Sequence, residues 1–236
     1  METIVCVVAH PDDLAHGMGG TAWLLKDRYR LHVICASRGD RGYYTWKGVG
    51  LPPPNAELAA RRSAEEQAVC TMLGATLTFL DLMDGEIYAE RPAVERVAQI
   101  LRELRPVAVF TLGPQEKPDH AAAYLIALQA LYLAERFWDT ELYMMMRHSE
   151  TRQGHYADLY VDITAVIAEK RRMVACHQSQ NPTPEHIERV MERNVILGKL
   201  AWCEHAEAFM TGMPLMALRK GRKAGCVLLE LGRASS

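Results

Sequence analysis

The chain opens on an unbroken apolar run, TIVCVVA (3–9), rich in β-branched residues. A run with no polar face predicts a strand buried on both sides, as in a parallel sheet. LHVICAS (31–37), TLTFLD (76–81) and PVAVFTLG (106–113) repeat the pattern. Segments with helical spacing lie between them. From about Gly17 to Asp27, Met18, Ala22, Leu24 and Leu25 form an apolar face. NAELAARRSAEEQAVCTMLGA (55–75) has Asn55 placed to cap its start and Gly74 just past its last turn. A helix over 92–104 is opened by Pro92, and another spans 119–136. Strands and helices thus alternate for most of the first 140 residues. That alternation predicts an α/β fold on a mostly parallel, doubly wound sheet.

Further on, the pattern predicts strands at ELYMMM (141–146) and DLYVDIT (158–164). Helices follow over 166–179 and over 183–201, the second capped by Thr183 or Asn181. The apolar stretch CVLLEL (226–231) reads as a closing strand. No repeat, low-complexity segment or second core interrupts the chain, so 1–236 is expected to be one domain. Residues 38–55 break the regular pattern with Gly39, Gly42, Gly48, Gly50 and the run Pro52-Pro53-Pro54. A loop of this length in a compact domain is usually functional.

Composition excludes several classes. A net charge of −2 gives no electrostatic footprint for nucleic acid, and the basic stretch LRKGRKAG (218–225) reads as a solvated surface turn. No apolar stretch approaches the roughly 18 residues that a membrane span needs, and the start lacks the basic region of a signal peptide. The six cysteines, Cys6, Cys35, Cys70, Cys176, Cys203 and Cys226, form no CxxC pair and sit mostly in apolar segments. They read as reduced core residues of a cytoplasmic protein.

In open α/β sheets ligands bind beyond the carboxyl ends of the strands. His10, Asp12 and Asp13 follow the first strand, and Arg38, Asp40 and Arg41 the second. Asp81 and Asp84 follow the third, and Glu116, Lys117, Asp119 and His120 the fourth. An imidazole and a carboxylate three residues apart can share one zinc ion where the chain turns, and an imidazole from another strand would leave a position open for water. Asp12, next to such a ligand, is available as a general base. On residue types alone, HPDD also fits a helix N-cap with a histidine beside it. The G-x-G-x-x-G spacing of a dinucleotide loop is absent, and two acids stand where a pyrophosphate would lie.

The AHPDD of 9–13 with the glycines up to Gly20 resembles the N-terminal motif of the LmbE/PIG-L zinc-dependent deacetylases. So, in order, do SRGDRG (37–42), Arg62 with Glu65 and Leu73-Gly74, FLDLMDGEI (79–87) and PDH (118–120). VDIT…K…ACHQSQ (161–180) and AEAF (206–209) extend the likeness along most of the chain. The resemblance implies a Rossmann-like, three-layer α/β/α fold. It also implies hydrolysis of an N-acetyl or other short acyl group from a small amino-sugar-like substrate. Carried over by position, His10, Asp13 and His120 would hold one zinc per chain, or another divalent metal, and Asp12 would be the general base. His177 lies in the ACHQSQ block, where it would face substrate. Relatives assemble as trimers or hexamers, so a homo-oligomer is expected, with no nucleic-acid or membrane partner.

Two departures stand out. Lys117 replaces the first histidine of the family's H-P-D-H, where a cation would help stabilise the oxyanion or the leaving group. Ala15-His16 stands where close relatives carry a glutamate. Arg41, Asp84 and Tyr43, with Tyr44 and Trp46 beside it, are candidates to touch sugar hydroxyls or rings, and Asp119 to orient an imidazole or cap a helix. Two further readings are an amidase acting on a larger thiol–sugar conjugate and a non-catalytic sugar-binding or oligomeric scaffold.

Overall fold

The computed structural model describes residues 1–42, 50–114, 117–146, 156–212 and 227–232. Tyr43, Tyr44, Trp46, Glu116, Cys226 and the basic stretch 218–225 lie outside the described residues. The first strand, β1 (Thr3–Val8), is buried at all six positions, as its apolar run requires. It pairs in parallel with β2 (Arg30–Ser37) on one side and with β4 (Ala108–Leu112) on the other. β3 (Thr76–Leu82) extends the sheet beyond β2, and β5 (Glu141–Met146) extends it beyond β4, both in parallel. β7 (Ala206–Thr211) runs antiparallel to β5, and β6 (Leu159–Asp162) antiparallel to β7. The sheet has seven strands in the order β3-β2-β1-β4-β5-β7-β6.

Helices cover both faces. α1 (Asp13–Leu25) and α2 (Ala56–Leu73) connect β1 to β2 and β2 to β3, and pack with α5 (Ile167–Cys176), which meets α6 (Pro184–Leu200). α3 (Arg91–Leu104) and α4 (Pro118–Leu133) pack against each other. The order reverses between β1 and β4, so the chain ends leaving these two strands part there and open a crevice. Beneath it the core is dense: Phe110 stacks on Tyr143 with centroids 4.9 Å apart and meets the edge of Phe209 at 5.7 Å.

α2 carries the expected caps: Asn55 accepts from the Leu58 N–H at 2.9 Å, and Gly74 closes the helix at φ 63°. Two expectations need correction, and one strand was not anticipated. α1 begins at Asp13, four residues before Gly17, and is broken at Met18 (φ −145°, ψ 23°). Gly17 is needed for close approach to the sheet, because a Cβ there would lie 2.6 Å from Met145 Sδ. The stretch predicted as a closing strand instead turns at Val227 and Leu228 and enters a short helix, α7 (Leu229–Gly232). Its two buried residues pack on the core without a ladder, and a short apolar run does not distinguish these outcomes. β7 was legible only as a motif block, yet it is an interior strand of the sheet.

Candidate metal centre and active site

β1 delivers His10 to the crevice, and the turn after it brings in Asp13 at the start of α1. His120 comes from the first turn of α4, just beyond β4. Asp13 lies between the two rings. Its Oδ2 is 3.5 Å from His10 Nδ1 and accepts from the His10 N–H at 2.8 Å, while Oδ1 is 3.3 Å from His120 Nε2. Asp13 and His120 are both about 1 % exposed. Burial disfavours the charged form of Asp13, but His120 and His10 outweigh it and hold the carboxyl well below its ordinary range. Burial also disfavours a charged His10, and here Asp119, Asp13 and Asp84 carry the imidazole well above its ordinary value.

The far nitrogen of His10 is equally constrained. Nε2 lies 3.0 Å from Asp119 Oδ2 and 3.1 Å from Asp84 Oδ1. Asp119 is fixed in turn by the Gly85 N–H at 2.7 Å and the Ile87 N–H at 3.4 Å. A carboxylate behind an imidazole in this way sets which ring nitrogen faces forward, as in carboxylate–histidine–metal triads. Burial works against the charged form of Asp84, yet His10 and Arg62 bring its carboxyl below the ordinary value.

One ligand atom from each of His10, Asp13 and His120 falls within 4.8 Å of the others, as does one from each of His10, Asp84 and Asp119. The first set has the donors of a catalytic zinc centre, two imidazoles and one carboxylate, which leave a tetrahedral ion one free position. The second set behaves as support for His10. The residues present therefore fit a divalent metal.

Asp12 sits beside this triad in a backbone conformation that L-residues avoid, φ 122° and ψ −25°. Such strain persists only where surroundings enforce it. Glu66 Oε2 accepts the Asp12 N–H at 3.1 Å, and Arg62 Nη2 donates to the Pro11 carbonyl at 2.7 Å. Arg62 also reaches Asp12 Oδ1 at 3.4 Å and the Gly39 carbonyl at 3.2 Å. Gly39 takes φ 69°, and any side chain there would run into the Arg62 guanidinium.

The other candidates are distributed around this centre. Asp84 is in it. Arg41 is committed to Glu86, Nη1 to Oε1 at 2.6 Å. Lys117 is exposed at the N-cap of α4, three residues before His120. His177 is fully buried, with Nε2 3.5 Å from Glu66 Oε2, so it stands behind Asp12. Burial pushes its pKa down and pushes that of Glu66 up to about 8. Tyr43 lies outside the described residues.

Sequence reasoning matched Arg62 and Glu65 only as motif letters and did not name Glu66, whose Oε2 faces the Asp12 N–H. The signal was present: Arg62, Glu66, Val69, Cys70 and Leu73 are the buried residues of α2 and form one helical stripe. Charged residues on an apolar stripe point inward to a purpose.

The chain is 30% identical over 194 residues to a diacetylchitobiose deacetylase of Thermococcus kodakarensis, covering 77% of this chain and 71% of that one. It is 27% identical to a 4-oxalmesaconate hydratase of Pseudomonas putida, covering 82% of this chain and 80% of that one. The crystal structure of an N,N′-diacetylchitobiose deacetylase from Pyrococcus horikoshii superposes with a TM-score of 0.75 at 24% identity, over 90% of this chain and 84% of that one. That likeness establishes the shared fold. The sequence profile of the PIG-L family, GlcNAc-PI de-N-acetylase, matches residues 5–131, a span that holds His10, Asp12, Asp13, Glu66 and His120. The chain therefore belongs to the PIG-L family.

Proposed function

We propose that this protein is a zinc-dependent hydrolase that removes an N-acetyl or other short acyl group from an amino-sugar-like substrate. The observation that carries the reading is the Asp12 carboxylate, held on strained backbone beside the His10–Asp13–His120 donor set. Zinc bound by that set supplies Lewis acidity toward the amide carbonyl and lowers the pKa of water. Asp12 takes a proton from the attacking water as the C–O bond forms, and returns it to the nitrogen as the C–N bond breaks. The products are a carboxylic acid and a free amine. Asp119 and Asp84 hold the His10 ring while this happens.

In this reading Lys117, exposed at the N-cap of α4, would meet the developing charge or the leaving group, and His177, 3.5 Å from Glu66, would support Asp12. Arg41, Asp84 and Tyr43 are the proposed contacts to substrate hydroxyls. We place the protein in the cytoplasm as a homo-oligomer, on the cysteine pattern and on family resemblance. No helix among the described residues is long and apolar enough to cross a membrane.

The hydratase relative raises a second reading, addition of water to an unsaturated dicarboxylate. The matching family profile, a de-N-acetylase, and the diacetylchitobiose deacetylase relative favour the first. The test is amine and acid release by zinc-loaded protein from a panel of N-acetyl amino sugars and sugar conjugates, beside hydration of unsaturated dicarboxylates. Chelator-sensitive release from the sugars is expected. Hydration alone would establish the second reading, release only from larger conjugates the amidase reading, and neither activity together with no bound metal a scaffold.

A further inference from the structure

His16 belongs to one of the two stretches where this chain departs from the family pattern, and it stands one helical turn after Asp12. Its Nδ1 lies 3.7 Å from Asp12 Oδ2, and its Nε2 lies 3.2 Å from Asn181 Nδ2. We propose that His16 is a positioning residue for the Asp12 carboxylate, held by Asn181 as the neutral tautomer with its proton on Nδ1. The inference rests on the hydrolase reading of this site.

Asn181 decides the tautomer. Its Nδ2 also donates to the Val174 carbonyl at 3.1 Å and the His177 carbonyl at 3.2 Å. Turned over, the amide would set its own oxygen against two carbonyl oxygens, so the NH₂ group has to face them. The same NH₂ group, with two hydrogens for three neighbouring acceptors and no lone pair to offer, faces His16 Nε2; a hydrogen on Nε2 would meet another donor, so the lone pair belongs there. The ring proton of the neutral imidazole is left on Nδ1, the side toward Asp12.

Both partners are held in place. Lys170 Nζ donates to the His16 carbonyl at 3.0 Å and fixes the turn of α1 that bears the ring. The turn that carries Asn181 is tied to α2, where Glu65 accepts from the Ser179 N–H at 2.9 Å and its hydroxyl at 2.5 Å. The Asp12 carboxylate is thus bracketed, with Arg62 on Oδ1 and His16 on Oδ2. At 3.7 Å the His16 side is a charge–dipole approach longer than a hydrogen bond, of the kind that tightens when substrate fills a site. A base whose carboxylate is approached at both oxygens loses rotational freedom, and that orientation is what proton transfer from one water needs.

The experiment compares zinc-loaded wild type, His16→Leu and His16→Gln. Leucine removes both polar contacts, whereas glutamine can accept from Asn181 and donate to Asp12. In His16→Leu, kcat should fall roughly 10- to 100-fold while KM stays within about threefold and zinc content is unchanged, the signature of a misplaced catalytic group. His16→Gln should recover most of the loss. Wild-type kcat in His16→Leu, a loss confined to KM or to zinc, or no recovery in His16→Gln would overturn the assignment. A second readout needs no substrate and no variant of His16. Imidazole ¹⁵N spectra of the zinc-loaded protein should show His16 as the neutral Nδ1–H form at pH 7, with signals that move in Asp12→Asn. An Nε2–H form, an imidazolium, or indifference to Asp12→Asn would refute the proposal. If the wild type releases no acid from any sugar, the hydrolase reading fails, and the spectra still decide whether His16 serves Asp12.

Discussion

At the scale of single residues, the adjacent Asp12 and Asp13 do different work because the backbone turns between them. Asp13 faces the two imidazoles, while Asp12, at φ 122°, faces Arg62 and His16. Asp12→Asn keeps the shape and removes the base, so kcat should fall by roughly 10²- to 10⁴-fold with zinc content preserved. Metal analysis and turnover on the same sample check this. Glu66 behind it makes a separate, pH-dependent contribution. Burial raises its pKa to about 8 in the folded chain, against an ordinary 4.5. Folding therefore takes up a proton between these values. That stability is fully present below the ordinary value and is lost as pH rises through the folded one, by at most about 1.4 kcal/mol per pH unit. Glu66→Gln should flatten this loss in thermal melts of chelated protein from pH 5 to 8, and parallel curves for the two proteins would refute it. His10, Asp12, Asp13 and His120 stood out in the sequence as ionisable groups beyond strand ends, and the family motifs rather than residue type alone gave them their expected roles. Glu66 could not be picked as easily beside Glu65, since only the helical register separates the neighbour that faces Asp12 from the one that holds Ser179.

At the scale of elements, α1 is two helical pieces joined at Met18, and the second piece starts with backbone donors that the first cannot satisfy. Glu207, from β7, supplies the acceptor: Oε1 takes the Gly20 N–H at 2.9 Å and Oε2 the Thr21 N–H at 2.7 Å. Lys170, from α5, balances that carboxylate with Nζ 2.5 Å from Oε1. Both residues are buried, at 0% and 1% exposure, so neither charge has water to fall back on. This explains why the lysine and the E-x-F element belong to the resemblance although neither touches the metal donors. Lys170→Met leaves a buried carboxylate unpaired and should cost about 3–5 kcal/mol, read from urea unfolding midpoints. The double variant with Glu207→Gln should lose less than the two single losses summed, and strict additivity would show that the pair is not coupled. The strand and helix order of the first 140 residues was legible because each piece has one dominant hydrophobic period. The kink was not, because the pull on α1 comes from Glu207, close to 190 residues away in the chain. β7 escaped for a related reason: a strand of six residues gains its identity from neighbours β5 and β6 on either side.

At the scale of the whole molecule, the proposed metal joins two parts of the fold that the sheet alone leaves apart at the crevice. His10 and Asp13 leave β1, and His120 sits at the start of α4 beyond β4. The two strands are hydrogen-bonded neighbours, but their connections diverge, α1 toward β2 and α4 toward β5. An ion held by all three side chains would tie the two parts together and bind only the folded chain, because His120 lies about a hundred residues beyond His10 and Asp13 in sequence. At a free metal concentration of about 100 times Kd, such binding adds roughly 2.7 kcal/mol. For a chain of this size that is a rise in Tm of about 5–10 °C. Adding zinc to chelated protein should produce it, and His120→Ala should abolish the response, since two ligands from one turn no longer span the crevice. Asp12→Asn should keep the response, because its carboxylate is not among the donors. A Tm indifferent to zinc in the wild type, or a full response in His120→Ala, would remove the metal from the His10–Asp13–His120 site and with it the hydrolytic reading. A response kept in Asp12→Asn but lost in His120→Ala would separate the residues that hold the ion from Asp12, the proposed base.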